Sequence, residues 1–533
     1  TPHIGLYETT NPCVPGDTFV LTTEGPRTVK DLIGKQATLI VNGKPFQTAE
    51  AGFFSTGTKP LLSIRTREGY TFRATGDHPV LKVRRKTRYS IEQEWVKTRL
   101  LKPGDRIMLH NHREYPGWNG LYGDKEGYLI GLLTGDGTFK SDKAYLSVWQ
   151  GQEDASGIMS AAYKAARSLP HRSDFTGWWK VGGRNEYRLS TAAIKKIALS
   201  LGMRPGNKII TPYLETQTSS DFARGFLRGF FDADGSVQGS QEKGISIRLA
   251  QSDIGRLQAV QRMLARFGIA SSIYANRRRN RETLLPDGKN GTAVYKTRVQ
   301  HELIISRDNV SVFAERIGFS DTAKQNRLSG ALASYRRRLN REQFTVTVEE
   351  IVPGGCEEVF DVRVPGINAF DANGIVAHNC GEQPLLPYEA CCLGSLNLGK
   401  FVNQDHRIDF EHLAETIRIA VRFLDNVIDA SNYVIPEIAR MHKEGNRKIG
   451  LGIMGWHDML VRLGINYDSE EALETAEKVM SFINSEARKE SVKLAAERGT
   501  FPNFKGSVYD TGREEDHLRN ATRTTIAPTG TIS

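Results

Sequence analysis

The chain has few cysteines, and they follow no recognised spacing. Only five occur among 533 residues, an odd number, and no two of them form a CxxC pair. Secreted scaffolds held by disulfides normally carry an even set at regular spacing, so this composition predicts a reducing, cytoplasmic setting. A structural zinc site is not expected either, because such sites commonly use CxxC pairs. The cysteines are Cys13, Cys356, Cys380, Cys391 and Cys392.

The sequence also lacks any apolar run of about 18 residues, the length that a transmembrane helix needs. Its first residues, TPHIGLYETTNP, contain no charged segment followed by an apolar one, as a signal peptide would. No membrane partner is therefore expected. The chain begins without Met and stops at Ser533 without a tail, so we interpret it as a fragment of a longer protein.

Charge is unevenly placed along the chain, whose formal net charge is +11. Residues 115–342 hold 35 Lys and Arg against 21 Asp and Glu, an excess of +14, so the remainder sums to −3. A basic excess confined to one region predicts a module that binds a polyanion there, most simply nucleic acid.

The sequence divides into three kinds of segment. Residues 13–110 and 344–379 have the character of short strands, such as LLSIRT, YTFRAT and VFDVRV, broken by Gly, Pro and Asp. The basic region between them mixes helix and strand signals. After about residue 408, apolar residues recur at helical spacing in DFEHLAETIRIAVRFLDNVIDAS and in EEALETAEKVMSFINSEARKESVKLAAERGT, and Gly499 is the predicted cap of the second helix.

Residues at the two ends of the β-rich material could cut out everything between them. Cys13 can attack the carbonyl of Pro12 and form a thioester. Cys380 can accept that acyl group, Asn379 can cyclise and break its own peptide bond, and His378 can protonate or polarise that bond. The thioester then rearranges to the more stable amide. Tethering in one fold supplies the proximity that makes weak nucleophiles adequate.

The motifs around these residues resemble those of inteins over the whole segment 13–379. CVPGDT at the start, TGDH in the middle, and VFDVRVP with FDANGIVAHN at the end match the family. The resemblance implies an all-β, Hint-type splicing domain that needs no cofactor. It also implies that His78 activates the first junction, that Thr75 orients it, and that Asp361 assists the first two steps. The predicted splicing residues are Cys13, Thr75, His78, Asp361, His378, Asn379 and Cys380.

Two positions depart from the intein pattern. Asn368 stands where many members carry a His, which removes one acid or base from the last step. Pro12 precedes the first nucleophile, and its ring constrains the scissile region. An alternative interpretation is therefore a chain that only cleaves DNA, with splicing slow or impaired.

The basic region contains an internal repeat. LIGLLTGDG is echoed by LRGFFDADG, so that Asp136 and Asp234 lie 98 positions apart. Two helices can approach closely only if their contact faces are small. The predicted contact face is made by Gly131 and Gly135 in one helix and by Gly229 and Ala233 in the other.

Helices that pack in this way would deliver Asp136 and Asp234 side by side, and paired carboxylates suit Mg²⁺. The metal would activate water and stabilise the leaving oxygen on each DNA strand. The doubled motif resembles that of LAGLIDADG homing endonucleases, which implies an α+β endonuclease acting on double-stranded DNA at the gene that lacks the insertion. By that resemblance Lys208 and Lys324 lie near the scissile phosphates, and strands after each helix read the major groove.

Two arginine clusters are candidates for neutralising the DNA backbone. A charge run is usually a solvated face, but the regional basic excess favours DNA contact. These residues are Arg277, Arg278, Arg279, Arg281, Arg336, Arg337, Arg338 and Arg341.

Joining residues 1–12 to 380–533 gives a continuous sequence in which Asn11, Pro12, Cys380, Gly381 and Glu382 form an N-x-C-x-E signature. It resembles the catalytic chain of ribonucleotide reductases, most like the adenosylcobalamin-dependent class, and this implies a fragment of an α/β barrel. By that resemblance Cys380 becomes a thiyl radical that removes the ribose 3′-hydrogen. Glu382 acts as base and Asn11 hydrogen-bonds the ribonucleotide substrate.

The same resemblance implies two further features of the host. Cys391 is one of the two cysteines oxidised during reduction, although Cys392 is adjacent and competes for that role. A substrate-phosphate loop is predicted at the C-terminal end, where small residues at a helix start suit an anion. Its residues are Pro528, Thr529, Gly530 and Thr531.

The predicted architecture is therefore multidomain. An all-β splicing domain (13–112 and 343–379) is split by an α+β endonuclease (113–342) and flanked by reductase fragments (1–12 and 380–533). The main hypothesis is excision of residues 13–379. A plain reductase with a tolerated insertion is the weakest alternative, because the insertion separates Asn11 from Cys380. Cys356 fits no role and is predicted to be structural.

Overall fold

The computed structural model describes residues 13–49, 52–87, 90–149, 155–240, 244–278, 281–286, 292–335, 339–362, 364, 367, 369–378 and 388–526. The chain divides into two compact units, one of residues 12–379 and one of residues 1–11 with 380–533. Among the described residues, no helix combines the length and apolar character needed to cross a membrane.

The elements are numbered in chain order. The strands are β1 (Val14–Pro15), β2 (Phe19–Thr22), β3 (Gly25–Thr28), β4 (Thr38–Val41), β5 (Lys44–Gln47), β6 (Phe53–Thr66), β7 (Thr71–Thr75), β8 (Pro79–Lys86), β9 (Ile91–Lys97), β10 (Arg106–Met108), β11 (Thr138–Phe139), β12 (Ala144–Trp149), β13 (Trp179–Lys180), β14 (Glu186–Leu189), β15 (Gly235–Ser240), β16 (Gly244–Gln251), β17 (Ser271–Arg278), β18 (Arg281–Pro286), β19 (Thr292–Thr297), β20 (Gln300–Ile305), β21 (Thr345–Val362), β22 (Phe370–Ala372), β23 (Ile375–Ala377), β24 (Cys392–Asn397) and β25 (Ile449–Met454). The helices are α1 (Asp124–Thr134), α2 (Ala155–Arg167), α3 (Ala192–Ser200), α4 (Pro212–Gln217), α5 (Ser220–Asp234), α6 (Ile254–Arg266), α7 (Asn309–Arg316), α8 (Thr322–Ser334), α9 (Phe410–Ala430), α10 (Pro436–Met441), α11 (Trp456–Leu463) and α12 (Glu470–Arg498).

Two long strands drawn from opposite ends of the first unit form the spine of its β-rich part. β6 pairs antiparallel with β21 along most of their length. The sheet runs β22-β23-β8-β10-β21-β6-β7, with β1 added to β21 and β9 to β8, while β3-β2-β4-β5 form a second sheet. The prediction of short strands is wrong for β6 and β21, which have 14 and 18 residues. Three register irregularities let these strands bend and so continue through Gly and Pro positions.

The basic region is built from the two copies of the repeat. α1 and α5 pack on each other, and each precedes a four-stranded antiparallel sheet, β11-β12-β14-β13 or β15-β16-β20-β17. Their backbones nearly touch: a Cβ added at Gly131 would lie 2.2 Å from the carbonyl oxygen of Phe226, and one added at Gly229 would lie 2.3 Å from that of Tyr128. The predicted small contact face is confirmed. It also extends one turn further toward the N-terminus of each helix, to Gly127 and Gly225.

Both parts of the first unit pack against each other. Leu21 and Ile40 from the β-rich part belong to the hydrophobic core of the basic region. The Phe19 ring lies 4.8 Å from the guanidinium of Arg262 and 5.4 Å from that of Arg266, both on α6. These contacts are internal to residues 12–379, so the basic region and the β-rich part fold against one another.

In the second unit, β24 and β25 pair in parallel, and α9 and α12 pack over them around one hydrophobic core. Both predicted long helices are present, and Gly499 is the cap of α12. Asp425 on α9 is fully buried and accepts hydrogen bonds from Arg447 at 2.9 Å and from Asn520 at 2.9 Å. This ionic cluster ties α9 to the segment that follows α12.

Candidate functional site

The first predicted nucleophile is fully buried beside the end of β7. The backbone N–H of Cys13 donates to the Thr75 hydroxyl at 3.1 Å, and the N–H of Thr75 donates to the Cys13 carbonyl at 3.0 Å. Thr75 therefore holds the backbone nitrogen that would leave when the Pro12–Cys13 bond breaks. Pro12 itself lies outside the described residues.

Two side chains from β6 surround the thiol of Cys13. The Thr56 hydroxyl lies 2.8 Å from Sγ, and the Lys59 ammonium lies 3.5 Å from it. Burial, followed by the Asp361 charge, raises the pKa of Cys13 to about 12, while Lys59 and the Thr56 hydrogen bond act in the opposite direction. Sequence reasoning missed both residues, although a lone lysine in an otherwise apolar strand (TGTKPLLSI) was a usable signal.

His78 is fully buried, and its ring packs edge-on against Phe72 and Phe370 at centroid distances of 5.7 and 6.1 Å. Neither ring nitrogen has a hydrogen-bond partner among the described residues. Burial, followed by the charge of the nearby His378, lowers the pKa of His78 to about 3, while the backbone of Cys13 opposes this. The imidazole is therefore neutral and lies near the backbone of Cys13.

Residues at the C-terminal end of the first unit lie near Cys13 and His78. Asp361 lies on β21, is 2% exposed and acts electrostatically on Cys13. The backbone N–H of His378 donates to the Pro79 carbonyl at 3.0 Å, directly beyond His78, and its ring packs edge-on against Trp95 at 4.6 Å. The structure thus brings together five of the seven predicted splicing residues. Asn379 and Cys380, like Asn368, lie outside the described residues.

The two predicted acidic residues of the repeat emerge at the paired ends of α1 and α5. A Cβ added at Gly135 would lie 2.4 Å from Cβ of Ala233 and 3.2 Å from Oδ2 of Asp234. Desolvation between the packed helix ends, followed by the Asp234 charge, raises the pKa of Asp136 to about 6, although the residue as a whole is exposed. Burial likewise raises the pKa of Asp234, which accepts a hydrogen bond from Gln251 at 2.6 Å.

Both predicted lysines reach these helix ends. The Lys208 ammonium donates to the carbonyls of Gly135 and Gly137 at 2.8 and 2.5 Å. The Lys324 ammonium donates to the carbonyls of Phe231, at 3.3 Å, and Asp232. Burial lowers the pKa of Lys208 to about 8 and lowers that of Lys324 as well.

The two carboxylates beside these two cations are oxygen ligands of the kind that a hard divalent cation binds. No group of three or more His, Cys, Asp or Glu within the described chain is arranged to hold a metal by itself.

The predicted arginine contacts differ in their surroundings. Arg277 forms an ion pair with Glu302 at 2.6 Å and lies over the Tyr274 ring, so part of its charge is already compensated inside the protein. Arg278 and Arg341 are exposed. Side chains outside the described set are those of Arg279, Arg281, Arg336, Arg337 and Arg338.

Among the host residues, the structure distinguishes the two adjacent cysteines. Cys392 begins β24 and packs against the hydrophobic core of the second unit, and burial raises its pKa. Successive strand side chains point to opposite faces. Cys391 instead directs its thiol toward the backbone of β25: its Sγ lies 3.1 Å from the position that a Cβ on Gly450 would take. The remaining predicted host residues (Asn11, Cys380, Glu382, Pro528, Thr529, Gly530 and Thr531) lie outside the described residues.

Cys356 does not have the packing role that was predicted for it. It is exposed, on the part of β21 opposite Pro60, where the strand pairing is irregular. A side chain at such an irregularity faces solvent and contributes little to a core.

Two parts of the chain match known families. Residues 367–533 match the barrel domain of ribonucleotide reductase, and residues 221–318 match a LAGLIDADG-like domain. The chain therefore combines a reductase barrel segment with a LAGLIDADG-like domain.

Individual relatives fall into two groups by the length over which they align. A vitamin B12-dependent ribonucleoside-diphosphate reductase of Thermoplasma acidophilum is 56% identical over 154 residues, 29% of this chain and 20% of its own length. One from Mycobacterium tuberculosis is 47% identical over 170 residues, covering 32% and 23%. The ribonucleoside-diphosphate reductase NrdEB subunit alpha of Bacillus subtilis is 27% identical over 559 residues, covering 96% and 50%. The chain spans half or less of the length of these curated relatives.

Proposed function

We propose that the chain excises residues 13–379 and joins Pro12 to Cys380. The observation that carries this proposal is the meeting, at one buried place, of residues from both ends of that segment. Cys13, Thr75 and His78 come from its N-terminal part, and Asp361 and His378 come from its C-terminal end. An insertion without splicing activity would not require these groups to lie together around its first residue.

The first step follows from the contacts of Cys13. Sγ attacks the carbonyl carbon of Pro12, the bond from that carbon to the Cys13 nitrogen breaks, and one proton passes overall from sulfur to nitrogen. Thr75 holds that nitrogen through its hydroxyl. The neutral His78 ring faces the same peptide unit and can exchange a proton with it.

Later steps fall to the residues at the second junction. The Cys380 thiol takes the acyl group from Cys13 by thioester exchange. The side-chain amide of Asn379 then attacks its own carbonyl carbon, which breaks the bond to Cys380, while His378 protonates or polarises that bond. The freed amine of Cys380 finally attacks the thioester, and an amide bond results.

The lengths of the alignments support this proposal. The 56% identical reductase aligns over 154 residues, which is also the number from Cys380 to Ser533. A reductase that aligns over 96% of this chain must share similarity with the middle segment as well. Related reductases therefore differ in whether this segment matches, as expected for a removable insertion.

Intact mass after expression of the full chain tests the proposal. Splicing produces a joined chain made of 1–12 and 380–533, together with a free segment made of 13–379. Cys13→Ala should abolish both products, whereas Cys356→Ser, which alters an exposed thiol in the same domain, should leave them unchanged. Persistence of the uncut chain when no residue has been substituted would refute splicing.

A second activity, cleavage of double-stranded DNA, is favoured by the LAGLIDADG-like match and by the paired carboxylates at the ends of α1 and α5. Bound between Asp136 and Asp234, Mg²⁺ would supply Lewis acidity toward water and the leaving oxygen. Lys208 and Lys324 place positive charge next to the same helix ends. Incubating DNA of the uninterrupted gene with the chain and Mg²⁺ should give a double-strand break. An equal yield of breaks from Asp136→Asn would contradict this assignment, and breaks without any excised segment would favour an endonuclease that does not splice.

For the spliced host we propose ribonucleotide reduction, once the rest of the barrel is present. Cys380, next to Asn11 and Glu382, would carry the radical, and Cys391 would supply one reducing thiol. The loop from Pro528 to Thr531 would bind substrate phosphates. The resemblance to B12-dependent enzymes makes adenosylcobalamin the expected radical source of the complete enzyme.

A further inference from the structure

Lys59 is a buried cation placed against the nucleophile of the first splicing step. It lies on β6, is 5% exposed, and brings its ammonium to 3.5 Å from Sγ of Cys13. The register of β6 on β21 sets it opposite Glu357, on the strand that also carries Asp361. A lysine that served only solubility would extend into solvent, because burying an ammonium group is costly unless a partner compensates.

A neighbouring positive charge would favour ionisation of the buried Cys13 thiol. Only the thiolate is an effective nucleophile, and burial together with the Asp361 carboxylate disfavours it. Two groups around Sγ oppose them, the Lys59 ammonium and the Thr56 hydroxyl at 2.8 Å. Both come from the same stretch of β6, so one strand supplies a charge and a hydrogen bond to the sulfur.

We propose that Lys59 is a catalytic residue of the first splicing step, in which its charge, together with the Thr56 hydroxyl, stabilises the negative charge that develops on the Cys13 sulfur as Sγ attacks the Pro12 carbonyl. This inference rests on the proposed splicing function. Lys59 acts through its charge and neither gives nor takes a proton in the step, which therefore balances: the thiol proton ends on the Cys13 nitrogen, the sulfur–carbon bond forms and the carbon–nitrogen bond breaks.

The test isolates the first step in the full chain. A parent carrying Asn379→Ala and Cys380→Ala can form only the first thioester, and an added small thiol then releases the peptide of residues 1–12. Lys59→Met keeps the side-chain length and removes the charge, Lys59→Arg restores the charge, and Lys44→Met alters an exposed lysine on β5. A loss of about one pKa unit in thiolate stabilisation corresponds to about tenfold slower release. We expect that loss in Lys59→Met, and rates near the parent in the other two variants.

Alkylation of Cys13 with a small reagent, followed by peptide mass spectrometry, separates charge from structure. If Lys59 stabilises the thiolate, Lys59→Met alkylates more slowly than the parent. If Lys59 merely supports the fold, its loss opens the site and Cys13 alkylates as fast or faster. Peptide release at the parent rate, or slow release with fast alkylation, would overturn the proposal. A parent that releases no peptide would instead refute splicing, and the alkylation rates would still decide whether Lys59 favours the thiolate.

Discussion

Substituting Gly131 by Ala should force apart the two helices that carry Asp136 and Asp234. Gly131 lies on α1 against α5, and an added Cβ would lie 2.2 Å from the carbonyl oxygen of Phe226. The nearest nitrogen, that of Phe230, would lie 2.9 Å away, so both obstacles are backbone atoms that cannot rotate away. Ordinary contact begins near 3.4 Å, and the helices must therefore separate by about 1 Å.

The magnitude follows from two opposing effects. Overpacking of a closely fitted interface costs about 1–3 kcal/mol, and the rigid backbone obstacle places this case toward the upper end. Replacing Gly by Ala inside a helix stabilises the folded state by about 1 kcal/mol through helix propensity. We therefore expect Gly131→Ala to lower the free energy of unfolding by about 1–2 kcal/mol.

Gly330 provides a matched control for the same chemical change. It lies on α8, and a Cβ there would meet nothing within 4 Å. Gly330→Ala should therefore raise stability by up to about 1 kcal/mol through propensity alone. The two variants differ only in what the new methyl group meets, so opposite signs are expected.

Denaturant unfolding of the full chain, kept in one piece by Cys13→Ala and Asn379→Ala, measures both effects, and cleavage of the target DNA gives a second readout. Moving the helices apart also separates the two carboxylates, so Gly131→Ala should cut DNA more slowly while Gly330→Ala should not. A Gly131→Ala chain as stable as the Gly330→Ala chain would refute the close-contact reasoning.

Three further predictions concern the two compact units. Asp425→Ala removes the fully buried carboxylate that pairs with Arg447, leaves that guanidinium only the partly exposed Asp429, and should destabilise the second unit by about 3–5 kcal/mol. Glu497→Ala, in a partly exposed pair, should cost at most about 1 kcal/mol, and equal losses in urea unfolding would contradict the role of burial. Burial lowers the pKa of His110 to about 4, so below pH 6.5 the unfolded chain binds a proton that the folded chain does not, and stability falls as the pH falls. Between pH 7.5 and 5 the loss due to His110 is about 2 kcal/mol, and His110→Gln should remove this part while the similar part due to His78 remains; an unchanged pH dependence in that variant would contradict the role of His110. Thr75→Val leaves the Cys13 N–H without its acceptor and should slow excision roughly tenfold or more, whereas Thr75→Ser should not; equal rates in all three chains would exclude Thr75 from the first step.

Sequence alone determined those features of this protein that depend on local pattern. The doubled LIGLLTGDG and LRGFFDADG repeat predicted two helices with small contact faces, and the structure pairs α1 with α5 through Gly131 and Gly229. Helical periodicity likewise predicted α9 and α12, including the cap at Gly499. These features could be predicted because a helix makes one turn every 3.6 residues, so apolar residues at that spacing in the sequence lie on one face of the helix.

Only the tertiary structure decided what surrounds the Cys13 thiol. Thr56 and Lys59 are 43 and 46 positions away in sequence and reach the sulfur because β6 pairs with β21, a strand from the opposite end of the first unit. The same pairing makes LLSIRT and VFDV parts of two long strands. Strand partners are chosen by long-range fit and burial, and no local spacing encodes that choice. The candidate nucleophile could therefore be predicted from the sequence, whereas the charge beside its buried thiol depends on the fold.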